Sequence, residues 1–340
     1  MKNICLRLAN RLADGSGAQV QRHLETIALA SFLNASVCDG VIVDFDSNPG
    51  DGIKNFAEKN FQIEQINLSI IPRYRDCHKL HNILESRFIN YLMLNQLRFS
   101  RLVLNILDKF LTLGKLHFAL NVHNTAIITR RNPLLLENLK VELSARTHPK
   151  QMLNVIRIVA HIHGAKNLSK EMESRFIQVD WFVRIISETI GILKSLGIGF
   201  NIEVHTDIPS QPNQVWKQEL GLSAATRRIW LEEGILSKQG EMKLVFLPLE
   251  KLFAAFDNLH IVRDIPPTEV LHAFRNADIL ITNKSSLSFV GGFLNEHGMI
   301  VCTESWLPKL KSWHLIGEKP LDSEIQKYRD ELKEKVLSFL

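Results

Sequence analysis

Residues 278–306 read Asp278-Ile-Leu-Ile-Thr-Asn283, then Lys284-Ser285-Ser286-Leu287-Ser288-Phe289-Val290-Gly291-Gly292-Phe293-Leu294-Asn295, then Gly298-Met-Ile-Val-Cys302 and on to Trp306. The outer pieces are short apolar runs, as expected of strands buried in a parallel sheet. The middle piece opens on hydroxyl residues and continues at helical spacing. Strand, serine-rich turn, helix and strand make a βαβ unit. The turn falls at the carboxyl end of the first strand, where open α/β sheets bind ligands. A helix start offers free N–H groups and the positive end of its dipole, which suits a phosphate. Lys284, Ser285, Ser286 and Ser288 could add a charge and hydroxyl donors. Serines here also cap helices without binding anything, so the turn alone leaves both readings open.

The same alternation recurs toward the N-terminus. Residues 3–9 predict a strand, and Asn10 to Gln19 a turn-rich loop containing Gly15-Ser16-Gly17. From Val20 to Asn34 the apolar positions Val20, Leu24, Ile27, Ala28 and Phe32 recur every three or four residues and predict a helix. Glycines let the backbone approach a ligand. The third position after Gly17 is Val20, however, which excludes the nicotinamide dinucleotide fingerprint. Gly40–Asp44 predicts a second strand, and Asp44, Asp46 and Asp51 follow without calcium-loop spacing. Residues 88–113 predict one long helix. Asn90, Asn95, Arg98, Arg101 and Asp108 would be expensive in lipid, so it reads as a buried or partly buried helix and not a membrane span.

Residues 117–129 and 134–143 are short strand or helix pieces, and Ser144–Lys150 reads as a polar linker with a proline. Beyond it, residues 154–163 predict a strand ending in His161-Ile162-His163, and 175–195 a helix whose start carries Arg175. Residues 199–207 predict a strand ending in His205-Thr206-Asp207, 213–233 a helix, and 243–248 and 260–263 strands. Residues 268–277 predict a helix, and 322–339 an amphipathic one through Ile325, Tyr328, Leu332, Val336 and Phe339.

This pattern predicts an α/β protein of two Rossmann-like domains facing a cleft. The expected division is residues 1–146, residues 151–321, and a closing helix over 322–340. Polar strand ends at 161–167, 205–207 and 283–288 should converge on one crevice, with the Gly15–Gln19 loop facing it. The chain of 340 residues is 45% hydrophobic and 23% charged, an ordinary globular balance with room for a sizeable core. Net charge is +5, compatible with an anionic substrate or membrane face. No dense basic stripe interleaved with aromatics points to nucleic acid. Cys5, Cys38, Cys77 and Cys302 have no C-x-x-C or metal-ligand spacing, so a reduced, cytoplasmic chain is the simplest inference. The N-terminus is interrupted by Arg7 and reads as a strand, not a signal peptide.

At this point the motifs fall into a familiar order. Gly15-Ser16-Gly17-Ala18-Gln19 resembles the G-x-G-[N/A]-Q loop of the fucosyltransferase-like superfamily of two-Rossmann (GT-B) glycosyltransferases. Val159-Ala160-His161-Ile162-His163 resembles that family's H-x-R-R-x-D strand end, and Val204-His205-Thr206-Asp207 its F-[ST]-D strand end. Ala277 through Phe289 is similar to its C-terminal I-x-S-x-S-[ST]-F-S motif, and Trp306 falls where a tryptophan often follows.

The resemblance implies an inverting transfer of a sugar, usually fucose from GDP-fucose, to a glycan or glycolipid hydroxyl. It implies no cofactor or metal, because protein groups neutralise the leaving diphosphate. It puts His161, Lys166, Asp207, Asn283, Lys284, Ser285, Ser286 and Ser288 on the donor, and Gly15, Gly17 and Gln19 on the cleft loop. His163 and Asp14 are the catalytic candidates. One departure is plain: His163 stands where the family has arginine, followed by Gly164-Ala165-Lys166. Histidine is neither a permanent nor a bidentate phosphate ligand, and Lys166 could restore charge only as a point cation. A different nucleotide sugar, or a binding relative without turnover, are the alternatives. The expected setting is cytoplasmic, with peripheral association at the inner face of a membrane.

Overall fold

The structure, a computed structural model, describes residues 4–8, 16–38, 41–42, 61–62, 74–75, 83–84, 86–114, 116, 118–144, 155–163, 177–208, 210–211, 215–217, 231–232, 237, 241–243, 246–263, 265, 267–305 and 307–339. The first half runs β1 (Ile4–Leu8), α1 (Ser16–Leu33), β2 (Ser36–Cys38), β3 (Val41–Ile42), β4 (Phe61–Gln62), β5 (Tyr74–Arg75) and β6 (Ile83–Leu84). It continues through α2 (Arg87–Asn95), α3 (Leu97–Leu113), β7 (Phe118–Val122), α4 (Thr125–Arg131) and α5 (Leu134–Ser144). The second half runs β8 (Val155–Ile162), α6 (Val179–Ser195), β9 (Gly199–Thr206), β10 (Val215–Lys217), β11 (Glu241–Lys243), α7 (Leu249–Leu252) and β12 (Leu259–Val262). It ends with α8 (Pro267–Arg275), β13 (Ile279–Ile281), α9 (Ser286–Leu294), β14 (Met299–Cys302), β15 (His314–Leu315) and α10 (Asp322–Leu337).

The fold is α/β, with two parallel sheets. Strands of the first half pair in the order β5-β2-β1-β7-β6, and those of the second in the order β12-β9-β8-β13-β14-β15. In its own chain order the second sheet reads 3-2-1-4-5-6, the doubly wound Rossmann arrangement. Connections leave β8 in one direction and resume from β13 in the other, so the switch point lies between these two strands.

Period-two alternation explains how β8 is held. Ile156, Ile158, Ala160 and Ile162 pack with α6 and α10, while Val159 packs on the opposite face with Phe274 of α8. The expected C-terminal helix forms and buries Ile325, Tyr328, Leu332 and Val336. Tyr328 Oη lies 2.5 Å from Thr189 Oγ1 of α6, which ties α10 to the second sheet.

Some expectations change. The strand beside β1 is Ser36–Cys38, ahead of the expected Gly40–Asp44, whose described residues Val41–Ile42 form a short strand paired antiparallel with β4. Residues 213–233 do not make one helix, because Val215–Lys217 pairs antiparallel with Glu241–Lys243. The long helix over 88–113 breaks at Gln96, whose φ of −141° is not helical. Residues 145–150 of the expected linker, Arg175 and Trp306 lie outside the described residues.

Helix α1 departs most from its sequence. Its pattern predicts one apolar face, yet Gln21, His23, Glu25 and Thr26 are buried along with Val20, Leu24, Ile27 and Ala28. Partners on several sides explain this. The core around α1 includes Leu136 and Leu139 of α5 and Phe289, Val290 and Phe293 of α9 as well as β1 and β7. Glu25 accepts hydrogen bonds from Gln21 Nε2 and Thr125 Oγ1, both at 2.8 Å. Burial raises the Glu25 pKa, against these two bonds.

The tightest approach is at the helix starts. A Cβ added to Gly17 would lie 2.7 Å from the backbone nitrogen of Leu287, so only glycine fits where α1 meets α9. Helix propensity favours Gly→Ala by about 0.5–1 kcal/mol. We expect Gly17→Ala to lose about 1–3 kcal/mol instead, through overpacking against backbone, as read from urea denaturation midpoints. His23 gives a second prediction. Burial, aided by Arg22, lowers its pKa to about 4 from 6.5. The unfolded chain therefore takes up the proton first, and stability falls as pH drops from about 6.5 to about 4, by roughly 3 kcal/mol in all. Denaturation across that window should show this slope in the wild type and a flatter one in His23→Leu.

Candidate functional site

The β8–β9 register aligns His161 with His205. Residues two apart share a face, so Arg157, His161 and His163 line one side with Glu203, His205 and Asp207. This is the α8 side: the Phe274 ring centroid lies 5.0 Å from that of His161 and 5.7 Å from that of His205. A polar ladder thus climbs the strand pair to its carboxyl edge.

At its base, Arg157 grips Glu203 through Nε (3.0 Å) and a second nitrogen (2.9 Å), the fork-on-fork geometry of arginine and carboxylate. Burial works against the Glu203 carboxylate, but Arg157 and His205 outweigh it and hold the pKa low. His205 Nε2 lies 3.1 Å from Glu203 Oε2. Burial lowers the His205 pKa, against the pull of Glu203. Its Nδ1 is buried without a hydrogen-bond partner among the described residues. At the top, His163 Nδ1 is 2.6 Å from Asp207 Oδ2, with His163 partly exposed and the Asp207 side chain buried.

Across the switch point, the serine turn is organised by Asn283. Its Oδ1 accepts from Ser285 N and from Ser288 Oγ, both at 2.8 Å. Ser285 Oγ caps α9 by accepting from Ser288 N at 3.1 Å. Ser288 Oγ is also 2.7 Å from His161 Nδ1. The single hydroxyl proton of Ser288 goes to Asn283, so His161 Nδ1 is the donor in this contact. In the neutral imidazole the lone pair is then on Nε2. Asn283 Nδ2 is buried with no hydrogen-bond partner among the described residues, and so is Thr303 Oγ1 just beyond β14.

Two helix N-termini open here. Gly17 and Leu287 are the second residues of α1 and α9, and they touch. The helices lie side by side, and α5 ties their far ends: Ser31 Oγ donates to Glu142, and Lys140 Nζ donates to the carbonyls of Phe293 (2.6 Å) and Asn295 (2.5 Å). Lys140 thus serves the negative end of the α9 dipole, although burial lowers its pKa to about 8. At the positive ends neither helix has an acidic residue in its first turn. Two adjacent positive dipole ends are complemented by an anion.

The expected site residues therefore fall into three groups. His161, His163, Asp207, Asn283, Ser285, Ser286 and Ser288 come together at the switch point, with Gly17 against it. Lys284 is beside them, but its ammonium is ion-paired with Glu318. Asp14, Gly15 and Lys166, with the Gln19 side chain, lie outside the described residues. Ser285 fills the capping role. Ser286 Oγ makes no hydrogen bond among the described residues. The His163–Asp207 pair and the Arg157–Glu203–His205 group were not foreseen. The signal was there: polar residues at every second position from 201 to 207, and at 157, 161 and 163 on one face of the strand beside it. Among the described residues no cluster of three or more histidine, cysteine or acidic side chains is arranged to hold a metal ion.

No family model and no curated protein matches the chain. Solved structures to which it is similar include POFUT1 in complex with GDP-fucose, at 11% identity, 87% of this chain, 94% of that chain and a TM-score of 0.42. Others are the E. coli heptosyltransferase WaaC with ADP (10% identity, 98% and 100% of the two chains, TM-score 0.40) and the E. coli ADP-heptose LPS heptosyltransferase II (10%, 99% and 99%, 0.37). At such identity and scores the likeness says nothing about donor, acceptor or chemistry.

The Ser288 hydroxyl joins β8, β13 and α9 through one atom. Ser288→Ala leaves His161 and Asn283 each short of a buried partner, and we expect a loss of about 1–3 kcal/mol in urea denaturation. The His161 ring-nitrogen NMR signals should move with it. An unchanged ring signal would mean that Ser288 does not set the tautomer.

Proposed function

We propose that the protein is an inverting, metal-independent glycosyltransferase. It moves a sugar from a nucleoside diphosphate sugar to a hydroxyl of a glycan or glycolipid. GDP-fucose is the donor that the serine-turn resemblance favours. The observation that carries this reading is the meeting of two helix N-termini, neither with an acidic first turn, beside the β8/β13 switch point. A leaving diphosphate develops charge there as the glycosidic bond breaks, and preorganised dipoles and hydroxyls stabilise it. The backbone N–H and hydroxyl of Ser286, the first residue of α9, are such groups. The resemblance adds Lys166 on the donor and Asp14 with the glycine loop on the acceptor side.

His163 is the proposed base. Its Nδ1 lies 2.6 Å from Asp207 Oδ2, and its Nε2 would take the proton of the acceptor hydroxyl. The freed oxygen bonds to the anomeric carbon from the side opposite the diphosphate. The carbon–oxygen bond to the diphosphate breaks, that oxygen keeps the electron pair, and the centre inverts. This assigns the residue at the family's arginine position to proton transfer and not to phosphate binding. One observation favours a binding protein without turnover: the Lys284 ammonium faces Glu318 and so does not add a free charge to the turn.

Titration calorimetry with GDP, UDP and ADP, followed by transfer assays with the matching donor sugar, tests both readings. Ser286→Asp places a carboxylate in the first turn of α9. It should leave stability unchanged or slightly raised and weaken diphosphate binding at least tenfold. His163→Asn should keep nucleotide binding and lose about 10²–10⁴ in turnover. Binding by the wild type without any transfer would support the non-catalytic alternative. No binding of the three nucleotides would sink the proposal.

A further inference from the structure

Helix α3 has two apolar faces. Leu97, Leu104 and Leu111 are buried in the core of the first half. Phe99, Leu102, Ile106, Phe110 and Leu113 follow at intervals of three and four, roughly 160° around the helix from that stripe. All five are exposed, Phe110 by 66% and Leu113 by 82%. Phe88 and Tyr91 of α2, one helical turn apart, are 62% and 61% exposed. Single exposed apolar side chains need no explanation, but a row of aromatics and leucines along one helix face marks an interaction surface.

The charge on these helices is just as one-sided. Residues 86–131 hold seven Lys or Arg and one acid, Asp108, a net of +6, against +5 for the whole chain. The rest of the chain sums to −1. Arg98 and Lys109 lie together along one edge of the exposed apolar stripe on α3. Arg130 and Arg131 end α4, and Arg131 bonds Leu94 O and Asn95 Oδ1 at the end of α2, which places this basic pair beside the same helices.

We propose that α2 and α3 form a surface that seats the protein on an anionic lipid bilayer, with the apolar stripe among the acyl chains and the flanking cations at the phosphates. An apolar face edged by Lys and Arg is the composition of helices that lie in the membrane interface. No helix among the described residues is long and apolar enough to cross a membrane. Charge chooses this occupant over a second copy of the chain: an isologous dimer would press the same basic edge against itself, whereas phosphates neutralise it. Asn90 of α2 accepts from His123 N and donates to Asn121 O, so Phe88 and Tyr91 stand near the carboxyl end of β7. That is the sheet edge on which α1 starts. The inference rests on exposure and charge and does not depend on the proposed transferase reading.

Co-sedimentation of the full chain with phosphatidylcholine vesicles, with and without phosphatidylglycerol, tests it. The wild type should partition onto the phosphatidylglycerol vesicles and be released by salt. Arg98→Gln with Lys109→Gln should weaken partitioning by about fivefold per charge removed, and Phe110→Ser with Leu113→Ser at least tenfold. These positions are exposed, so circular dichroism and melting should match the wild type. Three results would each overturn the proposal: no binding to the anionic vesicles, undiminished binding by either pair of variants, or a light-scattering mass of a dimer that falls to monomer in the Phe110/Leu113 variant.

Discussion

The contact between Gly17 and Leu287 is the constraint on which much else depends. It fixes the start of α1 against the start of α9 with no room for a side chain between them. The two helices then run together into one core that draws residues from both halves of the chain. The sheets are separate, but their packing is not: Phe289, Val290 and Phe293, from the unit that follows β13, are interior residues of the first half. The same contact places two positive dipole ends next to the switch point of the second sheet.

Around that point, the polar groups belong to two systems. One is the serine turn, where Asn283 and Ser288 share a short network with His161 and leave little slack in the loop. The other is the ladder on β8 and β9, where arginine, carboxylates and histidines alternate with apolar residues facing the opposite side. The ladder's lower part is closed by the Arg157–Glu203 fork. Its upper part ends in the partly exposed His163 against Asp207. The imidazole at the rim is more open than the His205 imidazole below it.

Helix α3 shows how composition can hide geometry. Its polar residues argue correctly against a membrane-spanning role, and its leucines argue for burial. Both are true of different faces. Only half of the apolar side chains find a core, because the first sheet can cover one side of a helix that lies on the outside of the fold.

The sequence by itself determined the two α/β halves, the strand–turn–helix units and the gathering of polar residues at strand ends, because these follow from local periodicity and turn chemistry. Residues 155–162, 199–206 and 279–302 were legible for that reason: each carries its own period and its own stop signal. The tertiary structure alone decided which faces were buried. It made α1 interior on nearly all sides, so that Gln21, His23 and Glu25 became core residues, since burial depends on neighbours far along the chain. It decided that His163 meets Asp207 and that Lys284 meets Glu318, because strand order and register set which distant side chains become adjacent. And it decided that Gly17 is needed for packing against α9, a role that no glycine spacing could reveal without the backbone it abuts.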